Sequence, residues 1–290
     1  MIIIVMLFFV CSIVAKENVK WVKEKVEQVH IGNFALRTCQ QPGPLVGFGQ
    51  NIIDKGDLQL FVYPDQLKGN HKNFIEVAPS LLYGITDKLS LFIESAVAAK
   101  FKIGIFESSG IEDLLVQLEG VVYAQETIAR VNEVTFVANM TFPTGSVFKI
   151  PPTGLGSPTF FLGFTASHTQ TDWYLFTAYA AILTTHYKGI KFGNQFLYQF
   201  GLSKNIAYKM DAWIFNWMVE LDGFYRQRTK VCGIVDINSG GNTVILGPSL
   251  WFSTQRLILQ LGISAVISEH LFGVQPKDNY FIAANVGWKF

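Results

Sequence analysis

Residues 213–228 read WIFNWMVELDGFYRQR. The odd positions are Trp213, Phe215, Trp217, Val219, Leu221, Gly223 and Tyr225, while the even ones include Asn216, Glu220, Asp222, Arg226 and Arg228. A period of two is the mark of a strand, because successive side chains leave the backbone on opposite faces. No soluble sandwich needs one face this aromatic opposite another that carries Glu220, Asp222, Arg226 and Arg228. A membrane barrel needs both, with lipid against the apolar face and a polar lumen against the charges.

The same alternation recurs along the chain. Over 89–102, Leu89, Leu91, Ile93, Val97 and Phe101 oppose Ser90, Glu94, Lys100 and Lys102; over 113–124, Leu114, Val116 and Leu118 oppose Asp113, Gln117 and Glu119. Residues 132–142 and 256–267 repeat it. Segments of this kind fill the chain from residue 57 to residue 290. Short links such as ITDK, TQTD and STQR alternate with long ones such as TGSVFKIPPTGLGS and RTKVCGIVDINSGGN. Short turns at one rim and long loops at the other predict an all-β, transmembrane, up-and-down antiparallel barrel of about twelve strands. Closure satisfies every backbone polar group in lipid and leaves no edge strand. The polar set also contains Phe61, Phe92, Tyr123, Phe161, Trp251 and Phe281, a mixed filling expected of a narrow lumen.

Composition agrees. Of 290 residues, 50% are hydrophobic and 16% charged, and the net charge of +1 argues against a nucleic-acid partner. The opening MIIIVMLFFVCSIVAK has the apolar run of a secretory signal and is too short for an ordinary membrane helix. The expected organisation is therefore a signal peptide at 1–15, an N-terminal periplasmic helix and loop at 16–56 that is a candidate plug, and a barrel at 57–290. Val19, Val22, Val26 and Val29 form the helical stripe of the second segment. Cys39 and Cys232 can pair in an oxidising compartment, although their spacing does not require it. No Cys–His cluster has zinc spacing, and no metal or cofactor is expected.

The runs LLYGITDKLSLFIES, GIEDLLVQLEGVVY, VTFVANMTFPTGS and GNQFLYQFGLSKNI resemble the outer-membrane family of transporters associated with the meta-pathway of phenol degradation. The resembling features are Tyr83 and Gly84 before a turn, Gly110 and Asp113 before a strand, and Pro143, Thr144 and Gly145 after one. The family's second glycine in the Gly110–Asp113 motif is Glu112 in this chain. The resemblance spans about residues 40 to 290 and implies an outer-membrane channel for small, often aromatic, compounds.

The alternation assigns Glu94, Lys100, Lys102, Asp113, Glu119, Glu220, Asp222, Arg226 and Arg228 to the lumen as candidate selectivity residues, with Lys100 and Asp113 paired across a hairpin near the mouth. They would either choose solutes at a constriction or neutralise one another in a packed interior. Catalysis is not expected: Ser167 and His168 are adjacent, so a strand points them apart, and His186 and His270, near the ends of strands, have no obvious serine partner. The last strand, NYFIAANVGWKF, puts Trp288 on its apolar face and ends on Phe290, which resembles a terminal signal read by outer-membrane assembly machinery. The expected partners are outer-membrane lipid, that machinery and a small-molecule solute. The two functional readings are passive passage of small, aromatic or hydrophobic solutes, and a non-transporting structural or partner-binding barrel that works through loops 144–158 and 229–242.

Overall fold

A computed structural model describes residues 29–49 and 51–290. The signal-peptide expectation and the valine stripe up to Val26 lie outside these residues.

The chain forms β1 (Leu58–Gly69), β2 (Lys72–Thr86), β3 (Leu89–Glu94), β4 (Val97–Ile103), β5 (Phe106–Ile111), β6 (Leu114–Thr127), β7 (Arg130–Phe142), β8 (Thr159–Gln170) and β9 (Trp173–Thr184). There follow β10 (His186–Tyr187), β11 (Ile190–Lys191), β12 (Gln195–Lys209), β13 (Trp213–Arg226), β14 (Lys230–Val231), β15 (Ile234–Val235), β16 (Gly241–Thr254), β17 (Leu257–Leu271) and β18 (Asp278–Lys289). β3 and β4 make one stave interrupted at residues 95–96, and β5 and β6 another interrupted at residues 112–113. Counted this way, the antiparallel barrel has 12 staves. It closes where β18 pairs with β1, setting Leu60 opposite Trp288 and Gln59 opposite Lys289. The short strands β10, β11, β14 and β15 come from two long loops and form a separate four-stranded sheet.

The alternation read from residues 213–228 is the alternation of the wall. In β13, Ile214, Asn216, Met218, Glu220 and Asp222 are buried in the lumen, and the odd residues face outward. On β17 the outward set includes Leu259, Leu261 and Ile263, all exposed. The uninterrupted staves run 12 to 15 residues. A tilted strand needs about 9–11 to cross the hydrocarbon, so these cross it with length to spare. A closed sheet with a continuous apolar outer face is stable only in lipid, and it is of the outer-membrane type.

Two faces are reassigned relative to strict alternation. Between β2 and β4 the register sets Glu76 opposite Ala98 but Ile75 opposite Lys100, so β4 carries one extra residue, Ala99. A bulge flips every side chain beyond it. Phe101 therefore turns into the lumen, where it meets Phe74 with ring centroids 4.8 Å apart. Lys100 and Lys102, expected in the lumen, turn outward near the long-loop rim. A second bulge, between Val121 and Tyr123, sets Tyr123 opposite the outward Val134 and takes that ring out of the lumen as well.

Candidate functional site: the lumen and the segment within it

Residues 29–57 touch the short-turn rim at both ends and enter the barrel between them. At the entry, the Val29 N–H donates to Ile128 O and the Asn33 N–H to Thr171 O, and Ala35 O accepts from the Asp211 N–H. At the exit, the Gly56 N–H donates to Gly84 O and the Lys55 N–H to Asp87. Two single-turn 3-10 helices, Gly32–Phe34 and Thr38–Gln40, shape the entry. Pro42 and Pro44 then keep the chain irregular, so its backbone groups must find partners elsewhere.

The wall supplies those partners from many staves. The Glu220 carboxylate accepts from the N–H groups of Leu45, Val46 and Gly47 at 2.8, 3.1 and 3.3 Å. Glu119 accepts the backbone N–H and side-chain amide of Asn51 at 2.9 and 2.8 Å. The Phe48 N–H donates to Gln199, and the Ile53 N–H to Ser90. Carbonyls are met in turn: Gln59 donates to Cys39 O, Ser253 to Gln40 O, Gln260 to Gly43 O and Thr165 to Phe48 O. Hydrogen bonds to a charged partner contribute roughly 1.5–3 kcal/mol each, so the two carboxylates dominate this seating.

Apolar packing adds to it. Ile53 joins Phe61, Leu82, Phe92, Trp251 and Ile258 in a buried cluster, and Phe48 meets Phe161 edge-on at 4.8 Å. Gly49 has φ +83°, and a Cβ there would lie 2.3 Å from Thr165 Oγ1, so only glycine lets the backbone pass. At the seam, Lys289 of the last stave contacts both Asp57 and, at 3.2 Å, the Cys39 sulfur. Burial pushes the Cys39 thiol up, with Lys289 opposing.

The candidate residues separate by this geometry. Glu94 faces the lumen and lines an open recess. Glu119 and Glu220 face it and hold the inner segment, and Asp222 is wholly buried on the same face of β13. Asp113 does not meet Lys100: its carboxylate accepts from the N–H groups of Gly145 and Leu155 and ties down the loop after β7. Lys100 pairs instead with Glu107 at 3.3 Å, on the outward face. Arg226 and Arg228 are exposed at the outer end of β13, where Arg228 lies 4.8 Å over the Phe272 ring. Trp288 faces outward, and the Phe290 N–H donates to Leu58 O. Cys39 is buried and Cys232 exposed in the link between β14 and β15, and both are free thiols. Sequence reasoning missed the wall residues Gln59, Gln199, Ser253 and Gln260 as ligands of a backbone. Their only signal was a polar residue on an inward position.

Two recesses flank the segment. One of about 460 Å³ lies between it and β1–β3, β6–β8, β16 and β18. The other, about 860 Å³, opens at the short-turn rim among His30, Arg37, Glu126, Asp211 and Arg256.

No family model matches the chain, and no curated protein matches it in sequence. Solved structures do match. An outer membrane channel from Pseudomonas putida F1 is 14% identical over 86% of this chain and 99% of its own, with a TM-score of 0.68. The NanC porin is 11% identical over 80% and 100%, with a TM-score of 0.50. LpxR from Salmonella typhimurium is 9% identical over 81% and 100%, with a TM-score of 0.43. The expectation that the chain is no enzyme is corrected: the barrel fold shared with these structures does not decide between catalysis and passage, and enzyme status is not established. At these identities the shared property is the fold. With its lipid-facing band and closed staves, the protein is a twelve-stranded β-barrel of the outer membrane.

Proposed function

We propose that the barrel is an outer-membrane channel for the passive passage of small solutes, and that its inner segment narrows the path. The supporting observation is a polar lumen with a recess on each side of residues 38–53, separated by a segment held through reversible hydrogen bonds. The similarity in fold to an outer membrane channel points the same way. Small, aromatic or hydrophobic compounds are the proposed cargo, since Tyr63, Phe92 and Phe161 line the outer recess. The resemblance to transporters of phenol degradation supports that class. Glu94, near mid-height, is the proposed selectivity residue, and Glu119 and Glu220 are proposed to set the width by holding the segment.

One observation favours a second reading. The segment fills much of the lumen, as a barrel that acts through its outer loops would require. Single-channel recording of the purified chain in planar bilayers separates the two. Small, steady conductance steps are expected; silence at all voltages from folded, heat-modifiable protein rejects passage.

A further inference from the structure

The outer recess has a one-sided chemistry. Strand register sets Asp65 opposite Glu76 on adjacent staves, and Glu94 follows on the next stave, opposite Ser80. Facing side chains at such positions stand about 4.5–5.5 Å apart at Cβ. Asp65, Glu76 and Glu94 all line the recess, and none of its lining residues is Lys, Arg or His. Carboxyl groups this close cannot all ionise without repelling one another, and a positive group seated among them favours their ionised forms.

The remaining lining is aromatic. Phe61 and Tyr63 stack at 5.7 Å between ring centroids, beside Phe92 and Trp251. Two further groups are left over. Trp251 is 5% exposed and Asn285 4%, both line the recess, and neither the indole N–H nor the Asn285 Oδ1 has a hydrogen-bond partner. A buried donor and a buried acceptor without partners are costly unless something else binds them.

We infer that this recess is a binding site for a small organic cation, an ammonium group carried on an aromatic or apolar body. The carboxylates neutralise the ammonium, Asn285 Oδ1 accepts one of its N–H groups, and the rings take the body and face the charge. A bare metal ion fits poorly, because it needs several oxygens converging within bonding distance. Among the described residues no such group of His, Cys, Asp and Glu exists. The volume of about 460 Å³ suits a molecule of one ring and a short chain. Binding needs the seated segment and its wall but no conduction, so the site and the channel reading fail separately.

Isothermal titration of the purified full chain in detergent tests it with 2-phenylethylammonium, phenylacetate, phenol and calcium chloride. The expected result is saturable binding of the ammonium alone, weakened about tenfold or more in Asp65→Asn/Glu76→Gln/Glu94→Gln, the size of one lost charge-assisted contact. These near-isosteric changes keep the side-chain shapes, and heat-modifiable migration reports folding. If the triple variant does not fold, the single change Glu94→Gln takes its place. Equal binding of phenylacetate or phenol overturns the inference. So does unchanged affinity in the folded variant, or full displacement of the ammonium by millimolar calcium.

Discussion

At the scale of single residues, Glu220 bears most on the lumen. One carboxylate, 2% exposed, holds three successive backbone N–H groups of a segment that has no regular structure of its own. Glu220→Ala leaves Leu45, Val46 and Gly47 without these partners inside the barrel, and the segment should loosen. The expected result is a several-fold rise in single-channel conductance and new protease cleavage between residues 40 and 50, with the barrel still heat-modifiable. Cys39 and Cys232, the two thiols among the described residues, give a second, independent reading of the same seating. Cys39 is buried, and its thiol is held in the unreactive neutral form by that burial; Cys232 is open to solvent. Maleimide should modify Cys232 promptly and Cys39 only after denaturation. Prompt labelling of Cys39 in the folded protein would mean that the segment does not stay in the lumen.

At the scale of elements, the staves behave as their alternation dictates until a bulge intervenes. Leu261, 59% exposed in the middle of β17, faces outward. Leu261→Arg should cost about 2–4 kcal/mol, the range for a charge facing the bilayer midplane, read by urea unfolding in lipid vesicles. Lys102→Leu should cost far less, because the bulge at Ala99 carries that side chain to the outer rim instead of the lumen. The bulge is where sequence reading loses its grip. Period-two counting is right on both sides of Ala99, but the count across it is off by one, and nothing in the residues themselves announces the insertion. Pro64 shows the complementary case. A proline suggests the end of a strand, yet β1 continues through it to Gly69, with Pro64 opposite Val77. Proline lacks only the donor, and a strand can lose one donor without ending.

At the scale of the whole molecule, the barrel closes by joining its last stave to its first, and the seam concentrates several contacts. Gln59 faces Lys289, Lys289 reaches Asp57 and Cys39, and the Phe290 N–H reaches Leu58 O. The Phe290 side chain is 70% exposed, so packing gives it little reason to be aromatic. We propose that it serves assembly together with Trp288, as this pair of aromatics at the end of the closing stave resembles a signal of that kind. Deleting Phe290 should lower the amount of folded, membrane-inserted protein in cells while leaving refolding of the purified chain into detergent nearly unchanged. Equal insertion in cells would remove the signal role and leave only the hydrogen bond to the first stave.

The twelve-stave wall, its lipid-facing side and the lumen positions of Glu94, Glu119, Glu220 and Asp222 follow from the sequence alone. Alternation is a local property: each strand carries its own two faces, and in lipid only closure satisfies the backbone. The partners of those luminal groups were decided by the tertiary structure. Glu220 and Leu45 lie 175 residues apart, and no local pattern links a carboxylate on one stave to amides in a proline-broken loop. The same holds for Lys100 and Asp113, which alternation puts together and the fold separates by a single inserted residue and a captured loop. Faces are set by period, while contacts across the lumen are set by which backbone groups have been left without a partner.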